Sequence, residues 1–161
     1  MRPRLSSAAG LLAMVGLLLA ADALAEKLLE TRFAFIRYAA DQDLSDFLWR
    51  VTGRRFMASE DVELAKIRVD EIVEKVQSLL GMYPEAFRVE IALGPPQEKS
   101  DVAYYSHETR SVTVAPNRVT DGVLAHEIAH AVICAYFAEP PPAKTQEILA
   151  QYVDRHLWGE I

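Results

Sequence analysis

Between Gly122 and Phe137 the chain is almost entirely apolar, and its charged or imidazole side chains are confined to His126, Glu127 and His130. The run reads as one helix that a chain of this size must bury over most of its surface. Pro140, Pro141 and Pro142 then break it and turn the chain back into a second helical segment, with Glu147 in its first turns. On a helix, positions i and i+4 share a face about one turn apart, so His126 and His130 can reach a single metal ion, and Glu127 projects about 100° around the axis beside it. A carboxylate in that place can accept a proton from a water whose pKa a zinc ion lowers from about 15.7 to about 7.

The pattern His126-Glu-x-x-His130, sixteen intervening residues, then Glu147 within Gln146-Glu-Ile-Leu-Ala-Gln-Tyr152 resembles the gluzincin metallopeptidases. The resemblance covers about the last third of the chain. It implies that His126, His130 and Glu147 bind one Zn2+ and that Glu127 is the catalytic base. The spacing to Glu147 is slightly shorter than in thermolysin-like and aminopeptidase-like members and nearer to compact bacterial members with an E-x-x-A-x-Y pattern. The metzincin subclass is set aside, because it needs a glycine and a third histidine soon after the motif, where this chain has Ala131-Val-Ile-Cys134.

The N-terminal end carries Arg2 and Arg4, an apolar run from Ala8 to Ala21, and Ala23-Leu-Ala25 before Glu26. This has the layout of a secretory signal peptide over residues 1–25, with an A-x-A cleavage site. The run falls short of the about 20 residues that span a bilayer, so a stable membrane anchor after cleavage is not expected. The expected product, residues 26–161, has room for one domain, placed in the periplasm or outside the cell. Losing Arg2, Arg4 and Asp22 takes the formal charge from −6 to −7. An acidic surface argues against nucleic acid as a partner; a peptide or protein substrate is what the gluzincin resemblance implies. Cys134 is the only cysteine, so no disulfide can form within the chain.

Upstream of the motif, hydrophobic periodicity predicts a strand over Thr31 to Ala39 and a short helix over Asp41 to Val51. A long helix runs from a Ser59 cap to about Leu80, ending at Gly81. The acids of that helix, Glu60, Asp61, Glu63, Asp70, Glu71 and Glu74, read as its solvated face. Phe87 to Leu93 predicts another strand before the Gly94-Pro95-Pro96 break. Val102 to Ser106 and Ser111 to Val114 predict a hairpin around His107 to Arg110. The fold class is therefore α+β, zincin-like: a small mixed or antiparallel sheet on a long backing helix, an HExxH helix and a C-terminal helix bearing Glu147.

Several residues have a functional and a plain reading. Cys134, four residues beyond His130, is a rival third ligand. Three successive i+4 positions on a straight helix, however, drift by about 80° and climb about 12 Å, so burial in the core is the simpler reading. Gln151 and Asp154 share the face of Glu147 and suit either orientation of a ligand imidazole or a solvated surface. Ile148, Leu149, Tyr152, Val153 and His156 read as the packing face opposite. Tyr104, Tyr105, His107 and Tyr152 are candidate donors to an oxyanion, with hairpin packing for the first three and core for the last as alternatives. Gly122, one turn before His126, either leaves room for substrate or starts the helix. If strand Ser111 to Val114 is the sheet edge beside the cleft, an extended peptide could add to it by main-chain hydrogen bonds. The rival to a peptidase is a non-catalytic zinc module in which the same ligands staple two helices; a further rival is a motif that is coincidental inside a buried helix.

Overall fold

The computed structural model describes residues 26–53, 59–95 and 102–159. The expected leader, residues 1–25, and the side chains of Ser59, Glu60, Asp61 and Pro96 lie outside the described set. Five strands and four helices follow in the order β1 (Lys27–Glu30), β2 (Ala34–Tyr38), α1 (Asp41–Thr52), α2 (Ser59–Leu80), β3 (Val89–Leu93), β4 (Ala103–Ser106), β5 (Ser111–Val114), α3 (Asp121–Tyr136) and α4 (Ala143–His156). The class is α+β with a mixed sheet, as expected. The expected strand over Thr31 to Ala39 starts later than anticipated, and β1 before it was not foreseen.

The sheet runs β1-β2-β3-β5-β4, with β2, β3 and β5 parallel and the two outer strands antiparallel to their neighbours. Register aligns Leu29, Ile36, Ile91, Val112 and Tyr105 in one row across all five strands. Since successive side chains alternate faces, this row marks the buried side, and Leu28, Arg37, Ala92, Thr113 and Tyr104 fall on the other. Ile36, Ile91 and Val112 are fully buried together with Val69, Ile72, Val73 and Val76 of α2 and Leu124, Ile128 and Val132 of α3, in one apolar core. Burying each of these side chains is worth about 1.5–3 kcal/mol.

Two expectations fail here. Strand β5 is not an edge: β3 and β4 flank it, and the free edge on that side belongs to β4. The reason is that the β3–β4 connection carries the chain past the position beside β3, which the return strand then fills. Asp70 of α2 is not simply solvated, because its carboxylate accepts hydrogen bonds from the Thr31 hydroxyl (2.6 Å) and the Arg32 and Phe33 amides (3.1 and 3.0 Å). It therefore holds the β1–β2 turn against α2, satisfying backbone donors that would otherwise lose water.

Candidate metal centre

Helix α3 is capped at Thr120, whose hydroxyl accepts from the Val123 amide at 3.3 Å, and its buried residues run from Leu124 to Ile133. That packing leaves the His126 and His130 side chains to face α4. Helix α4 is held by a narrow stripe, Gln146, Ala150 and Val153, extended by Leu157 just beyond its end. This differs from the expected packing face, since Ile148 and Tyr152 are 59% and 42% exposed. The Asp154 side chain lies against Gly122, where an added Cβ would meet its carboxylate, so that space is taken up by α4's side chain.

The docking brings His126, His130 and Glu147 together, with their potential ligand atoms all within 4.8 Å of one another. Glu147 Oε2 is 3.5 Å from His126 Nε2 and 3.6 Å from His130 Nε2. Four ligands about 2.1 Å from a tetrahedral zinc stand about 3.4 Å apart, so the donor types and the two imidazole–carboxylate distances match such an ion. The imidazole side chains are 19% and 15% exposed and the Glu147 side chain 47% exposed, so the group is sheltered on the α3 side and open on the α4 side.

The electrostatics suit cation binding. Burial, and then the neighbouring His126, hold His130 below its ordinary pKa, favouring the neutral ring that a metal needs. Glu147 is lowered chiefly by the Gln151 amide, which donates to Oε1 at 2.8 Å, and also by the two imidazoles. Gln151 therefore orients the carboxylate rather than an imidazole. Asp154 is committed to the Gly122 contact. Glu127 is half-buried on α3, immediately after His126.

Cys134 does not join the metal-holding group. Its thiol is half-buried, 3.4 Å from His107 Nδ1, and donates to Gln146 Oε1 at 3.6 Å. The Gln146 amide in turn donates to the Pro141 carbonyl at 2.7 Å, fixing the proline turn that leads into α4. This buried glutamine beside Glu147 was missed in the sequence, where a polar residue in a first turn looks solvated. Among the oxyanion candidates, Tyr105 stacks parallel to His130 with ring centroids 6.5 Å apart, and His107 meets Tyr105 edge-on at 5.1 Å. Tyr104 lies on the opposite face of the sheet. Tyr152 is not core: it is exposed and stacks on His156, whose Nδ1 lies 2.7 Å from the Tyr152 carbonyl. The chain has no match among models of known protein families, curated proteins or solved structures.

Proposed function

We propose that the chain is an exported zinc-dependent metallopeptidase of gluzincin type with a zincin-like fold. The observation that carries this reading is the convergence of His126, His130 and Glu147 from two helices at 3.5–3.6 Å between imidazole and carboxylate donors. Those three residues would hold the ion. When bound, zinc supplies a Lewis acid for a peptide carbonyl and acidifies a water. Glu127, fixed on the same helix as the two histidines, takes the proton of the attacking water and delivers it to the leaving amine. Gln151 keeps the Glu147 carboxylate turned toward the imidazoles. The exposed side of Glu147 favours this reading over a structural zinc staple, because structural sites are closed by four protein ligands.

An extended peptide would bind along the free edge of β4, which carries Tyr105 toward α3 and runs beside the metal-holding group. Export rests on the leader-like residues 1–25, and no helix among the described residues is long and apolar enough to cross a membrane. The test is Glu127→Gln. The variant should keep its zinc and lose turnover of a peptide library by a factor of about 10²–10⁴. Cleavage as fast as wild type would refute the mechanism.

A further inference from the structure

Tyr105 adjoins two spaces. Its ring stacks on His130, and Tyr105 also lines a partly open cavity of about 230 Å3 formed with the second half of α3, the chain leading into β3 and the β4–β5 turn. The cavity thus begins one side chain away from the metal-holding group. Its charged lining residues are Glu85, Arg88 and Arg110. Arg88 is paired with Glu30, whereas none of the ion pairs among the described residues involves Arg110.

The Arg110 side chain is exposed overall and forms part of the cavity lining, where a carboxylate entering from solvent can meet it. The Tyr105 hydroxyl, which also bonds to the Cys134 thiol, is a phenol and can donate a hydrogen bond at neutral pH. The backbone adds an independent sign. Arg110 (φ 53°) and Ala86 (φ 50°) are the non-glycine residues with positive φ among the described residues, and both border this cavity. The last residue of a short hairpin turn in this conformation is a place where glycine fits without strain. An arginine there gives up that ease and puts a guanidinium in the cavity wall. Strained positions of this kind gather at ligand sites.

We propose that this cavity is a specificity pocket for an acidic group of the peptide substrate, a side-chain or C-terminal carboxylate, received by the Arg110 guanidinium with the Tyr105 hydroxyl as a second donor. The proposal rests on the peptidase reading for what brings the peptide there. A guanidinium offers a carboxylate two parallel N–H donors, and the partly enclosed wall strengthens that pairing relative to open water.

The probes are fluorescein-labelled octapeptide pools on an Ala/Phe background. One contains a single Glu, one the matching Gln, both with amidated C-termini, and a third is the Gln pool with a free C-terminal carboxylate. Binding to the full chain is read by anisotropy in the presence of chelator, and cleavage separately with zinc. At least one acidic pool should bind about tenfold or more tightly than the amidated Gln pool, and the preferred pool tells a side-chain from a terminal carboxylate. Arg110→Gly, which suits the backbone, should erase that preference without lowering the melting temperature, and Arg110→Lys should keep part of it. Equal binding of all pools, no binding of any, or a preference that survives Arg110→Gly overturns the proposal. Cleavage without any acid preference also overturns the pocket but leaves the peptidase standing. Acid preference without zinc-dependent cleavage overturns the peptidase and leaves the pocket.

Discussion

Helices α3 and α4 supply the candidate metal centre from opposite circumstances. Helix α3 is buried on most of its surface, with Leu124, Ile128 and Val132 in the central core, so its two histidines are positioned by the same packing that makes the fold. Helix α4 touches the rest through a stripe of Gln146, Ala150, Val153 and Leu157, and it brings Glu147 in on a half-exposed side chain. A ligand pair built into the core and a third ligand delivered by a helix docked chiefly on α3 make metal affinity depend on that docking. Structural damage to α3 and to α4 should therefore be separable.

The largest contrast is expected between Ile128→Ala and Gln146→Ala. Removing the buried Ile128 side chain should cost about 2–5 kcal/mol of global stability, visible as a denaturant midpoint shift for every probe. Gln146→Ala leaves the Pro141 carbonyl without its Gln146 donor and removes one of the Cys134 thiol's partners, at about 1–3 kcal/mol, and should loosen the α4 start. Its signature is a fall in zinc affinity out of proportion to the change in stability. If both variants lose affinity only in step with stability, the two helices are not distinct in the way described.

Next in size is Gln151→Ala, which frees the Glu147 carboxylate and should weaken zinc binding by about 10- to 100-fold, measured by competition with a chromophoric chelator. The pH response sharpens the α3 side. Burial and His126 hold His130 below 6.5 in the fold, so beneath that value the unfolded chain binds more protons. Stability of the chelated protein is thus fully present above 6.5 and falls as the pH drops through the folded value. Thermal melts should show His130→Gln with a flatter acid limb than wild type; parallel limbs would contradict it. The smallest effect is expected for Gly122→Ala. The added Cβ displaces only the tip of the exposed Asp154 side chain, costing under about 1 kcal/mol and leaving α4 in place. A loss beyond that would show the helix contact to be tighter than drawn.

The sequence made the α3 reading legible because both the apolar run and the i, i+4 histidines are local signals. The strand pair β4 and β5 and the long α2 were readable for the same reason: their periodicity is contained within each segment. What escaped was set by distant partners. Asp70 looks solvated until the β1–β2 turn packs over it, and Gln146 looks solvated until the proline turn and Cys134 close on it. The apolar face of α4 was misplaced because the helix docks through Gln146, Ala150 and Val153, which leaves Ile148 and Tyr152 in water. The edge position of β4 follows from strand order, which local patterning does not encode. Arg110 gave no signal at all, since its meaning lies in a backbone angle and a cavity.

The most direct test of the central claim is the metal content of the purified protein by elemental analysis, alongside His126→Ala and Glu147→Ala. The account predicts about one zinc per chain in the wild type and its loss in both variants, including the one on exposed α4. A folded wild-type protein that holds no metal after zinc is supplied would contradict it.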